Sequence, residues 1–228
     1  LRIAGDAALM KQITSQEGYY NSALGTITWD TASVPILATL APSKEGTFFV
    51  TIPIVSKGTN APKLSMTVDA DATLKDKDDV TSSVSKSFVV QGSASVSART
   101  QYKNSSIQNT GPIPPQPNVD TTYSIRISVS AQNALENTKV SFVLPAYVTW
   151  RNIGDTSKIS YDTRTRTVTW NVGAVDAGKT MATDIGVTVR PSQVHVGTSP
   201  SITGGIVLDA DETDSKAHIK TTISGATT

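Results

Sequence analysis

The chain has 228 residues, 38% of them apolar and 17% charged, enough to build a hydrophobic core. Lys plus Arg number 20 and Asp plus Glu 19, a net charge of +1, so no surplus of cations is present to displace counterions from a nucleic acid. Cysteine is absent and histidine occurs twice, which excludes disulfides, thiolate metal sites and cysteine nucleophiles, and argues against a multi-histidine metal centre within one chain.

Val (22) and Ile (17) far outnumber Leu (10), and Thr and Ser are abundant. Stiff β-branched side chains fit a pleated surface better than a helix, so the composition predicts an all-β chain with Ser/Thr-coated outer faces. No apolar run approaches the roughly 20 residues that a membrane-crossing helix needs, and no membrane insertion is expected in this segment. The opening at Leu1, without a signal peptide, reads as a mature or excised piece of a longer protein whose anchor lies elsewhere.

In chain order, Ala7–Glu17 is the one stretch with a weak helical reading, through Leu9, Met10 and Ile13, although Ser15–Gly18 looks like a turn. Period-2 alternation then predicts strands. Phe48, Val50, Ile52 and Ile54 form one inward row, and Leu64, Met66, Val68 and Ala70 another. Lys75–Asp79 reads as a solvated loop of mixed sign, and Val89–Ser93 as a short junction. Ala94, Val96 and Ala98 alternate with serines, and Tyr123, Ile125, Ile127 and Val129 with Ser, Arg and Thr. Lys139–Leu144 follows, then Val168, Trp170 and Val172, then Ile185, Val187 and Val189, then Ile202, Gly204, Ile206 and Leu208. One apolar and one polar face per strand, with turns every 8–12 residues or so, is the pattern of immunoglobulin-like antiparallel sandwiches. Gly111–Pro117 interrupts it with four prolines, which cannot donate to a ladder, and reads as a stiff connection between sheets.

Three matches in order point to an internal duplication. Thr26–Asp30 matches Thr167–Asn171, Val50–Ile52 matches Val187–Val189, and Val68–Asp71 matches Leu208–Asp211, at offsets near 140. Residues 1–91 are the expected first repeat and 92–228 the second. The strands that open the second repeat have no counterparts in the first, so the expected fold is tandem immunoglobulin-like sandwiches, the first one N-terminally incomplete. Either the missing strands were cut away or another copy of the chain supplies them, because an unpaired sheet edge is a template for pairing.

Asn109–Pro115, Thr121–Ile125, Val143–Trp150 and Ile159–Gly178 run in an order that resembles the conserved-repeat domain of unknown function numbered eleven in its series. The likeness is strongest to membrane-anchored extracellular proteins of uncultivated candidate-phylum bacteria. In the first repeat, Ser15–Trp29 and Leu40–Gly46 fit the same group. The resemblance implies a surface spacer or stalk module on the bacterial exterior, without enzymatic activity and without catalytic residues to carry over.

Asp69 and Asp71, repeated as Asp209 and Asp211, share one strand face and could supply carboxylate oxygens to calcium. The simpler reading is that they face water and discourage edge pairing, and it outweighs the first. Trp29 and Trp170 read as core anchors with Trp150 nearby, Tyr19 and Tyr20 as candidate exposed contacts, His195 as a loop residue and His218 as an outer-face residue. No nucleophile elbow or phosphate-binding loop is present. The expected function is a non-catalytic structural module of a bacterial cell-surface protein, a stalk or spacer that can self-assemble by strand exchange. The alternative is an adhesin or ligand-binding module stabilised by calcium.

Overall fold

The computed structural model describes residues 2–5, 13–53, 63–75 and 79–228, with only the backbone described at 2–5 and 63. The described strands are β1 (Arg2–Gly5), β2 (Thr14–Ser15), β3 (Tyr19–Asn21), β4 (Thr26–Thr28), β5 (Val50–Thr51), β6 (Lys63–Thr73), β7 (Asp79–Val89) and β8 (Ala94–Gln101). They continue with β9 (Thr121–Ala131), β10 (Leu135–Val143), β11 (Val148–Arg151), β12 (Ile159–Asp162), β13 (Thr167–Val175), β14 (Thr180–Val189), β15 (Ile206–Glu212) and β16 (His218–Ile223). The protein is all-β. Every ladder is antiparallel, and the only helical pieces among the described residues are short 3₁₀ turns at Pro35–Ala38 and Gln193–His195.

The chain divides into two compact units, Leu1–Val90 and Gln91–Thr228. The second is a two-sheet sandwich. One sheet has the order β12-β13-β10-β15-β16 and the other β11-β14-β9-β8. Tyr123, Ile125, Ile127 and Val129 of β9 meet Val140, Phe142, Val168, Trp170, Val172, Leu208 and Ala210 of the facing sheet in one buried core. Alternation decides which side goes in, because successive strand residues point to opposite faces. The start of β9 departs from it: Thr122 and Ser124 are buried as well as Tyr123. The β8–β9 connection lies over them, with Ser105 Oγ donating to Ser124 Oγ at 2.6 Å and Asn109 Nδ2 donating to it at 3.1 Å.

The first unit holds one five-stranded sheet, β3-β4-β1-β6-β7, and a two-stranded ladder, β2-β5. Among the described residues its buried cluster is Ile13, Ile27 and Leu64, with Tyr20, Trp29, Val50, Ile52 and Met66 packed against it. Two sequence expectations need correction here. The described end of the helical candidate, Ile13–Glu17, is β2 and a bend, while residues 7–12 lie outside the described residues. The row Phe48, Val50, Ile52 and Ile54 yields only the two-residue β5: Val50 and Ile52 pack on the cluster, Phe48 is 37% exposed, and Ile54 lies outside the described residues. In the second unit, Ile202 is buried but precedes its strand, which begins at Ile206.

The strand orders of the two units correspond position for position. β3-β4-β1-β6-β7 has the sequence order and pairing pattern of β12-β13-β10-β15-β16, and β2-β5 that of β11-β14. The hairpins match in register: Tyr20 faces Ile27 as Tyr161 faces Val168. They also turn by the same chemistry. Asn21 Oδ1 accepts from the amides of Ala23 and Leu24, and Asp162 Oδ1 from those of Arg164 and Thr165. Gly25 then takes φ 62° and Arg166 φ 57°, the left-handed conformation that closes each turn. Arg166 tolerates it while its guanidinium binds carbonyls: Nε donates to Leu144 O at 3.0 Å, and Nη2 to Pro145 O and Val148 O.

Candidate functional site

The carboxylates singled out from the sequence lie on solvent-facing sides of β6 and β15. Asp69 and Asp71 are exposed, and Asp69 Oδ1 accepts from Ser83 Oγ at 2.6 Å across the β6–β7 ladder. That ladder's polar face is a series of such pairs, Thr67 with Ser85 at 2.8 Å and Thr73 with Asp79 at 2.7 Å.

In the second unit the outer face carries two rows of polar and charged side chains. Lys139, Asp209 and Lys220 are register neighbours on β10, β15 and β16, and so are Glu136, Asp211 and His218. His218 Nδ1 lies 2.9 Å from Asp211 Oδ1, and its Nε2 lies 3.6 Å from Asp209 Oδ2. Asn137 Nδ2 donates to Asp211 Oδ2 at 3.0 Å, and Lys216 Nζ pairs with Glu136 at 2.8 Å. The hydrogen bonds from His218 and then Asn137 hold the Asp211 carboxyl below its usual range. Sequence reading placed His218 on the outer face but did not connect it to the two aspartates. Their carboxylates are engaged by His218, and among the described residues no group of three or more His, Asp or Glu side chains is arranged to hold a metal ion.

A second polar cluster is buried. Glu212 is 0% exposed, because β15 carries it on the inward row with Ile206, Leu208 and Ala210. Its Oε1 accepts from the Gly92 amide at 2.7 Å and from Asn133 Nδ2 at 2.6 Å, and its Oε2 accepts from Ser215 Oγ. The carboxylate thus ties the first residues of the unit to the β9–β10 turn and the β15–β16 turn. Residue parity along β15 was the available signal for this inward position.

The aromatic candidates divide. Trp170 is a core residue. Trp29 packs against Ile13, Ile27 and Leu64, sits 5.4 Å from Phe48 ring to ring, and donates from Nε1 to Gln16 O at 3.0 Å. Trp150 packs on the core edge, 5.3 Å from Tyr161. Tyr19 is 71% exposed, whereas Tyr20 turns inward. His195 ends a 3₁₀ turn, its ring centroid 4.4 Å from that of Tyr147 with the planes tilted by 53°. The Ile113–Pro117 segment, Tyr102 and His195 line a half-open cleft of about 880 Å³ at one end of the second unit.

No family model matches the chain, and no curated protein matches it. Among solved structures, the chain is similar to the D312A variant of BcpA, the major pilin subunit of Bacillus cereus, at 10% identity and a TM-score of 0.39, over 70% of this chain and 48% of that one. It is also similar to a GH20 exo-β-N-acetylglucosaminidase from Vibrio harveyi in complex with N-acetylglucosamine, at 6% identity and a TM-score of 0.31, over 57% of this chain and 17% of that one. The chain therefore spans about half of the pilin subunit and a small part of the glycosidase, and at these scores neither likeness carries an argument about role.

Proposed function

We propose that this chain is a non-catalytic structural module of a bacterial cell-surface protein, built from two copies of one immunoglobulin-like unit. The observation that carries this reading is what the two units share and what they do not. The shared features are scaffold: strand order, the Tyr20/Ile27 and Tyr161/Val168 pairs, the turn caps Asn21 and Asp162, and the tryptophans Trp29 and Trp170. Asp69 and Asp71 recur as Asp209 and Asp211, but the groups that build the ionisable clusters around them do not: the positions of Glu212 and His218 correspond to Ala72 and Thr81 in the first unit. Duplication that keeps turns and core but not ionisable clusters favours a module valued for its shape over one valued for a reaction. The resemblance read from Val143–Trp150 and Ile159–Gly178 points the same way. The test is location. A tag placed within this segment of its parent protein, in the cell of origin, is expected to be removed by an external protease while the cells stay intact. A tag that survives until lysis overturns the surface assignment.

A further inference from the structure

Among the described residues the first unit shows no counterparts of β8 and β9, and part of β6 is unpaired on one side. Among the described residues, β1 pairs with β6 from Arg2↔Thr67 to Gly5↔Leu64. On that side, Val68–Thr73 has no partner among the described residues, although its other side is fully paired with β7. In the second unit the counterpart stretch, Leu208–Glu212, is paired with Leu135–Val140 of β10. Register explains the difference. Arg2 faces Thr26 as Val143 faces Thr167, so β1 begins where β10 ends. Antiparallel geometry then directs any residues joined ahead of Leu1 along the open edge of β6, from Asp69 towards Thr73.

The face above this edge is open too. Leu64, Met66, Val68 and Ala70 of β6 and Val80, Val84 and Phe88 of β7 share one side of the hairpin. Val68 is 43% exposed, Val80 46%, Val84 66% and Phe88 42%. In the second unit the equivalent side of β15 and β16 is buried, Leu208 at 0% and Ile219 at 9%, because β8 and β9 close the sandwich over it. β9 enters β10 through the short connection Gln132–Ala134.

We infer that the open edge of β6 and the apolar side of the β6–β7 hairpin are an acceptor for polypeptide joined ahead of Leu1. That segment first prolongs β1 along Asp69–Thr73, and its preceding two strands, apolar on one side like β8 and β9, cover Val68, Val80, Val84 and Phe88. This deepens the reading of the units as two copies and rests on it. The experiment uses the 228-residue chain and an extended chain in which a second copy of residues 92–141 stands directly before Leu1. Amide exchange is followed in both, with the β3–β4 hairpin as the internal measure that the first unit is folded. Those amides of Asp69–Thr73 that point away from β7 are expected to exchange about a hundredfold more slowly in the extended chain. Val84→Asp in that chain reverses the protection and Val84→Ile retains it, with the second unit unchanged in both. Three results overturn the proposal: unchanged exchange at the amides that point away from β7, protection of those amides already present in the monomeric 228-residue chain, or protection of them that appears only as that chain dimerises with concentration, which makes the occupant a second copy. Surface shaving reads location alone, so the two readings fail separately.

Discussion

Glu212 is the residue on which the second unit's polar packing converges. A carboxylate that is 0% exposed costs folding free energy unless its oxygens are satisfied, and here three neutral donors satisfy them. Removing the acceptor leaves buried donors behind, which costs more than the hydrogen bonds themselves contribute. Glu212→Ala is therefore expected to lower the stability of this unit by about 3 kcal/mol, and Glu212→Gln by about 1 kcal/mol, since one acceptor oxygen survives. Urea denaturation followed by Trp fluorescence measures both, and an Ala variant within 0.5 kcal/mol of the parent contradicts the role. Asp211 is a contrasting case at the surface. Its carboxyl is held below the usual value of 3.8, first by the hydrogen bond from His218 and then by that from Asn137. A depressed folded-state pKa contributes stability above the unfolded value and loses it as the pH falls through the folded one. The Asp211 contribution is thus present at neutral pH and disappears on acidification below about 3.8. In Asn137→Ala the Asp211 titration midpoint, followed by NMR, is expected to rise towards the usual range; a midpoint that stays put removes Asn137 from the account.

The elements show what alternation can and cannot reveal. β8, β9, β13 and β14 were legible because Ala94/Val96/Ala98, Ile125/Ile127/Val129, Val168/Trp170/Val172 and Ile185/Val187/Val189 each hold strict parity, and each row is turned towards the core. β7 was not legible: Ser82 and Lys86 interrupt the row Val80, Val84, Phe88, and its partner face is serine. Lys86 on an edge strand is a physical obstacle to edge-to-edge pairing, so the feature that hides the strand from sequence reading also protects it. The site was less legible than the fold. The pairing of Asp211 with His218 depends on β15–β16 register, which no local pattern reports. The buried row of β9 and the exposed row of β7 respond differently to truncation. Ile127→Ala, at 0% exposure among packed neighbours, is expected to cost roughly 3–4 kcal/mol through lost burial and a cavity. Val84→Ala in the 228-residue chain is expected to stay within about 0.5 kcal/mol. Equal effects in chemical denaturation contradict this division.

At the scale of the whole molecule, the described cores of the two units differ in extent, and this difference sets how the chain is expected to melt. The second unit buries apolar rows from both of its sheets, among them Ile125, Ile127, Val140, Val187 and Leu208 at 0% exposure. The described core of the first unit consists of Ile13, Ile27 and Leu64 with a ring of half-buried neighbours, while its longest hairpin leaves an apolar side to solvent. Stability scales with apolar area removed from water, at about 25 cal/mol per Å², and cooperativity follows contiguous packing. Calorimetry of the 228-residue chain is expected to resolve two transitions, the lower from the first unit and the higher from the second. Trp170→Phe should shift the upper transition and leave the lower in place, and Trp29→Phe the reverse, because each indole packs within its own unit's core. A single transition in which both substitutions move the same midpoint would mean that the two cores unfold as one, and the division of the chain at Val90 would then be geometric without being energetic.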